Sequence, residues 1–252
     1  MVSQDSRPSH QSDLCGGYLY VGHAKPAILN DHFAHDAFDG KLIVRFDDTN
    51  PAKEKQGFDE AILHDLDLLG IKPDQTTYTS DYFSRLYGIA EKMIRDGHAY
   101  ADDNEPEAII AERRQGLPSK RRDRPCEESL AMFNEMYTGT PLGGKHCIRA
   151  RIKFDSINLT LREPIINRFH GQKNMQSNLL ESSIIPHERT GLTWRIYPTY
   201  DFACPVVDSI EGVTHALRAS DYAERNEQYA WFLNTLGLRQ VHLWSFARTS
   251  FT

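Results

Sequence analysis

Lys41-Leu42-Ile43-Val44-Arg45-Phe46, preceded by Gly40 and followed by Asp47-Asp48-Thr49-Asn50-Pro51, decides the fold class of this chain. A short, nearly continuous apolar run bounded by a glycine and by carboxylates is the pattern of a strand buried in a parallel sheet. Asn50-Pro51 then predicts a helix start, with asparagine as cap and proline at the first helical position, where its missing N–H costs nothing. Phe58, Ile62, Leu66 and Leu69 recur at helical spacing as one apolar stripe, and Gly70 supplies the stop. A second helix is expected from about Asp81 to Gly97, with Phe83, Leu86, Tyr87, Ala90, Met93 and Ile94 turned inward. Strand, helix, helix and strand in this order predict an α/β fold built on a doubly wound parallel sheet.

Outward from this unit the character of the chain changes. Residues 1–16 are polar and without period. Glu107–Gln115 and Glu127–Thr138 predict short helices around a basic linker, and Cys147–Lys153 alternates apolar and basic residues as a strand would. His170–Ser183 is polar and unpatterned, which predicts a surface insertion. From Tyr197 short apolar strands are expected again, then a helix near Tyr222–Leu236 with Tyr229, Phe232, Leu233 and Leu236 on one face. The expected organisation is one sheet domain, residues 1–100 and 196–252, interrupted by an inserted domain at 101–195.

With 252 residues, 40% hydrophobic and 25% charged, the chain can bury a substantial core and has no compositional sign of disorder. No apolar run approaches the roughly eighteen residues of a membrane span, and the N-terminus lacks an apolar signal core. A cytoplasmic location without membrane contact is therefore expected. The four cysteines, Cys15, Cys126, Cys147 and Cys204, are scattered, which argues against a zinc site or a disulfide framework. A net charge of −6 exerts no global pull on nucleic acid, so any RNA contact needs a local basic patch. Glu112-Arg113-Arg114, Lys120-Arg121-Arg122-Asp123-Arg124 and the alternating Arg149, Arg151 and Lys153 provide candidates, although a charge run is more often a solvated face.

Chemistry concentrates at three places. Gly16-Gly17-Tyr18-Leu19-Tyr20-Val21-Gly22-His23-Ala24-Lys25 suits a glycine-lined turn feeding a helix, whose unpaired N–H groups and dipole favour phosphate. Asp47 follows a buried strand, where a ligand ammonium can find a carboxylate; Asp48, Thr49 and Asn50 read as caps of the next helix. In Tyr197-Pro-Thr-Tyr-Asp-Phe-Ala-Cys-Pro205 the aromatics Tyr197 and Phe202 read as core, and Arg218, after an apolar pair, reads as an ordinary surface charge.

Together these segments resemble the active site of class I glutamyl-tRNA synthetases of the eukaryotic and archaeal type, with gaps, from Gly17 to about Thr252. The resemblance implies a Rossmann-like catalytic domain with an inserted domain that grips the tRNA acceptor stem. It implies that the first segment corresponds to the His-Ile-Gly-His motif, with His23 as the second histidine and Tyr20 in place of the first, both catalytic. Gly17, Tyr20, Gly22, His23 and, near the ribose, Asp221 would bind ATP with its Mg2+. Asp47 would hold the α-amino group, and Tyr200, Asp201, Phe202, Ala203 and Cys204 would line the glutamate pocket. Arg218, within Ala216-Leu217-Arg218, would pair bidentately with the γ-carboxylate and so reject glutamine. Arg113, Arg114, Lys120, Arg121, Arg122, Arg124, Arg149 and Arg151 would contact tRNA.

Three departures accompany the resemblance. The arginine of the family's first strand has no match in register, with Arg7 the nearest candidate; Tyr20 replaces a histidine; and the chain is expected to stop at Thr252, before the Lys-Met-Ser-Lys-Ser-type loop and any anticodon-binding domain. The implied activity is glutamate–tRNA ligase, acting on ATP, L-glutamate and tRNA(Glu), with multisynthetase partners among the associations it suggests. The rivals are a glutaminyl enzyme, a non-catalytic acceptor-stem-binding or scaffold protein, and a paralogue that glutamylates a modified base.

Overall fold

The computed structural model describes residues 2–3, 21–52, 57–169 and 185–247. The expected 170–183 insertion, along with Gly17 and Tyr20, lies outside them. Strand β2 (Ile43–Phe46) pairs in parallel with β1 (Val2–Ser3) and β3 (Gln75–Tyr78). The alternation of a strand divides its side chains between two faces. Leu42, Val44 and Phe46 bury into a cluster with Ala27, Ile62, Leu66 and Ile71. Ile43 and Arg45 turn the other way, Ile43 toward Cys204, Val213 and Tyr229, and Arg45 into a wholly buried polar site. A run that looks apolar on both sides thus carries an arginine into the interior.

The next helix, α2 (Phe58–Leu68), starts later than Asn50-Pro51 predicts, with Gly57 as its cap at φ 86°. Its apolar stripe begins only at Phe58, and Pro51, itself buried, stands in a turn before it. Asp48 caps a different element: its carboxylate accepts from the Ser80 N–H at 2.7 Å, at the 3₁₀ turn Thr79–Tyr82 that leads into α3 (Phe83–Arg95). Leu69 lies past the end of α2 and is exposed. The α3 stripe forms as its spacing predicts, with Phe83, Leu86, Ala90, Met93 and Ile94 buried. Each of the larger ones, Phe83, Leu86, Met93 and Ile94, contributes roughly 1.5–3 kcal/mol relative to exposure.

Strand β4 (Ala99–Asp102) does not return to the parallel sheet. It opens an antiparallel sheet ordered β4-β5-β6-β7, with β5 (Cys147–Ala150), β6 (Ile165–Phe169) and β7 (Ile196–Pro198). Helices α4 (Pro106–Gln115) and α5 (Cys126–Thr138) lie between β4 and β5 in the chain. Tyr87, Phe133, Tyr137 and Trp194 form an aromatic group between α3, α5 and the segment before β7.

After β7 the expected strands are replaced by helix α6 (Tyr200–Ile210), which contains Pro205. Every residue from Phe202 to Asp208 is buried, so this stretch of the helix is enclosed all round and shows no amphipathic period. The chain then forms β8 (His215–Ala219), a 3₁₀ turn at Ser220–Arg225, α7 (Asn226–Thr235) and β9 (His242–Phe246), with β8 and β9 parallel. Helix α1 (Val21–Asp31), which continues into a π-helical turn at His32–Ala37, lies against β8. Lys25 Nζ donates to the Ala247 carbonyl at 2.6 Å, tying α1 to the end of β9. The fold is α/β with parallel sheet segments, and the antiparallel sheet shares a core with α3, α6 and α7.

Candidate active site

Asp47 directly follows β2 and Asp221 lies two residues past β8, each just beyond the C-terminal end of a parallel strand, where α/β sheets present ligand-binding groups. His23 stands in the first turn of α1, where backbone N–H groups lack intrahelical acceptors. Gly22 precedes it in the same turn.

Arg218 on β8 is the centre of an aromatic cage. Its guanidinium carbon lies 5.9 Å from the ring centre of Tyr200, 5.6 Å from that of Tyr222 and 5.4 Å from that of Tyr229. Nη2 donates to Tyr200 Oη at 3.2 Å. Nη1 is buried and has no hydrogen-bond partner among the described residues. A buried donor of a charged group without an acceptor costs more than most folds tolerate, and it sits in a cage that a carboxylate would complete. Burial works against the charge, but Tyr200, Cys204 and Asp208 together keep the Arg218 pKa above the ordinary guanidinium value.

Behind the cage lies the start of α6. Tyr200 faces Arg218. Asp201 takes an ion pair from Arg225. Phe202 packs on Phe232, and Ala203 is 1% exposed in the main core. Of Tyr200–Cys204, the expected lining of the glutamate pocket, these two thus also belong to the core. Cys204 is buried near Arg218, and burial pushes its thiol up to about 12, so it stands there as a neutral group.

The basic residues expected to face RNA divide sharply. Arg149 is 1% exposed and pairs through Nη1 with Asp102 at 2.7 Å and Glu112 at 3.3 Å, while Nε donates to the Glu163 carbonyl. It is an interior residue, which overturns its assignment to an RNA-facing strand face. Arg121 grips Asp103 with two bonds, Arg124 shares that carboxylate, and Arg122 binds the buried Glu163 at 2.7 Å. Arg113 and Arg151 donate to backbone carbonyls, Arg162 and Leu159 for the first, Gly97 and Arg122 for the second, and the Nε of Arg151 is buried without a partner among the described residues. Arg114 and Lys120 are exposed, with no side-chain partner among the described residues.

Residues 15–252 match the family described as tRNA synthetases class I (E and Q), catalytic domain. The chain belongs to that family. As a member of this class I catalytic-domain family it is 54% identical over 236 residues to the cytoplasmic glutamate–tRNA ligase of Saccharomyces cerevisiae, covering 93% of this chain and 31% of the relative. It is 49% identical over 232 residues to the bifunctional glutamate/proline–tRNA ligase of Cricetulus griseus, covering 92% of this chain and 14% of the relative. The chain thus spans about a third, or less, of these relatives. A glutamate–tRNA ligase structure from Elizabethkingia meningosepticum superposes with a TM-score of 0.60 over 92% of this chain and 47% of that one, at 20% identity, which is a likeness of fold.

Sequence patterns missed the groups that surround the class I pocket from behind: Arg45, Asp208, Tyr229 and Tyr222. Asp208 is wholly buried and accepts from Arg45, from the Tyr229 hydroxyl at 2.7 Å and from the Cys204 thiol at 3.6 Å. Burial first, and Asp208 next, push the Tyr229 hydroxyl far above the ordinary phenol range, so it donates and stays neutral. A detectable signal existed. Arg45 and Asp208 are each a single charge embedded in an apolar run, and such charges are rarely buried unless paired.

Proposed function

We propose that this chain is catalytic-domain sequence of a glutamate–tRNA ligase: it activates L-glutamate with ATP and transfers it to the 3′ end of tRNA(Glu). The observation that carries the choice of amino acid is the spare Nη1 of Arg218 inside its tyrosine cage. A γ-carboxylate supplies the missing acceptor and a countercharge, whereas a γ-amide offers only a neutral oxygen. The relatives named as glutamate–tRNA ligases support the same choice.

In this reading Asp47 receives the α-ammonium group, and the glutamate α-carboxylate attacks the α-phosphorus of ATP as pyrophosphate leaves. A ribose hydroxyl at the tRNA 3′ end then attacks the adenylate carbonyl and AMP departs. Neither step needs a protein nucleophile; both need alignment and charge stabilisation. His23 in the first turn of α1 contributes a donor toward the phosphates, with Gly22 in the same turn; Gly17 and Tyr20 keep the ATP-binding roles that the resemblance implies, and Asp221 serves the ribose. Mg2+ would enter with ATP and neutralise phosphate charge. The segments at 1–100 and 196–252 form the catalytic unit in this reading, and 101–195, which carries β5 and β6 of the antiparallel sheet, is the acceptor-stem insert. Arg114 and Lys120 are its exposed cations for phosphate contact.

No helix among the described residues is long and apolar enough to cross a membrane. Cytoplasmic residence is proposed from the names of the relatives, and association with other synthetases from the bifunctional ones. Single-turnover glutamylation of labelled tRNA(Glu), with this chain in excess, tests the activity. Labelled product is the expected result; bound tRNA with no product would leave an acceptor-stem-binding protein instead.

A further inference from the structure

Four buried or half-buried charges lie together behind the pocket. Arg45 on β2 spans two carboxylates of α6 and its end: Nη2 to Asp208, and Nη1 to Glu211 at 2.8 Å. The side chains of Arg45, Asp208 and Glu211 are 4%, 0% and 1% exposed, so water screens none of them. The fourth charge is Arg218, which touches the same Tyr229 ring whose hydroxyl binds Asp208. Asp208 also acts on Arg218 electrostatically. The protein therefore holds a buried carboxylate one tyrosine away from the guanidinium that lacks an acceptor, yet the two are not paired. Every oxygen of Asp208 is already taken, Oδ1 by Arg45 and Oδ2 by Tyr229 and Cys204.

We infer that Arg45 is a specificity-determining positioning residue: by saturating Asp208 it keeps that carboxylate from satisfying Arg218, and so reserves the spare donor for a carboxylate on the ligand. The inference rests on the glutamate reading of the pocket and adds a residue that never meets the substrate. Its physical content is competition. An internal carboxylate, pre-positioned and permanently present, would outcompete a ligand that must lose translational freedom to bind. An arginine fork spanning two carboxylates removes that competitor more completely than a lysine point charge could.

A purely structural role for the Arg45–Asp208 pair predicts that breaking it from either side does the same damage. Competition predicts opposite signs. In titrations of this chain with L-glutamate and L-glutamine, Arg45→Met is expected to lower the glutamate-over-glutamine affinity ratio by about tenfold or more, the scale of one hydrogen bond to a charged group. Asp208→Asn is expected to keep or raise the ratio, since the competitor is gone, and Arg45→Met/Asp208→Asn to restore it. An unchanged ratio in Arg45→Met, or the same loss in all three variants, would overturn the inference. If Arg45→Met alone does not fold, the double variant decides: a wild-type ratio supports competition, and a lost ratio in a folded protein contradicts it. Arg218→Ala separates the two levels. Preference retained there removes the glutamate reading and the inference with it, whereas preference lost there but unmoved by Arg45→Met removes the inference alone.

Discussion

Arg149 and Arg218 are the same residue type on short buried strands, and they are used in opposite ways. Arg149 is enclosed by Asp102, Glu112 and the Glu163 carbonyl, which take its Nε and Nη1 donors, and two carboxylates already neutralise it. Arg218 has one hydrogen bond, three aromatic faces and an unpartnered Nη1 among the described residues. The difference teaches that a guanidinium already held by internal carboxylates offers an anionic ligand less than one that is not. In the antiparallel layer Arg149, Arg121 and Arg122 are held by Asp102, Asp103 and Glu163; beside β9, Arg218 has no carboxylate on its Nη1 among the described residues.

The largest effect that should sharpen this contrast is on stability. Arg149→Ala strands Asp102 in the interior, and we expect a loss of about 3–5 kcal/mol by chemical denaturation. Arg114→Ala, at an exposed position without partners, should stay within about 0.5 kcal/mol. Equal values for the two would break the comparison. Arg218→Ala should behave the other way round from Arg149→Ala. Glutamate affinity should fall by roughly ten- to a hundredfold, the range for a charge-assisted hydrogen bond, with glutamine affinity unmoved; a matched fall for both amino acids by calorimetry would make Arg218 a scaffold residue.

A smaller difference is expected in RNA binding. Replacing Arg114 or Lys120 by alanine should reduce the slope of log affinity against log salt by about one each. Arg121→Ala should instead act through stability, because its guanidinium is committed to Asp103. An Arg121→Ala slope change equal to that of Lys120→Ala would show that the ion pair opens on RNA.

The smallest effect concerns His35, whose two ring nitrogens lie 2.9 Å from Asp74 and from Asp31. The hydrogen bond to Asp74 is the main cause of a pKa raised above 6.5; burial opposes it, and the bond to Asp31 adds to it. A folded-state pKa above the unfolded value means the contribution is full below pH 6.5 and is lost as pH rises through the raised folded value. An NMR titration should place His35 above 6.5, and Asp74→Asn should lower it; a midpoint at or below 6.5 would contradict the bridging geometry.

How legible the sequence was follows from the same physics. The strand around Val44 and the α3 helix were readable because period alone identifies a buried face. The α6 helix was not, because Tyr-Asp-Phe-Ala-Cys-Pro-Val-Val is apolar enough to fit either period and its proline argues against a helix. Arg218 was legible through resemblance to glutamyl-tRNA synthetases, since its local sequence looks like any exposed arginine. Arg149 was misread because alternation tells which side of a strand a residue faces, not what covers that side. Arg45 and Asp208 meet across 163 positions, and a pairing of that range leaves only two stray charges in apolar runs.

The most direct test is a crystal structure of this chain with L-glutamate bound. A γ-carboxylate oxygen about 2.7–2.9 Å from Arg218 Nη1, the ordinary distance for such a pair, is the result this account predicts. Glutamate bound with Nη1 still without an acceptor, or with its side chain held by another cation, would contradict it.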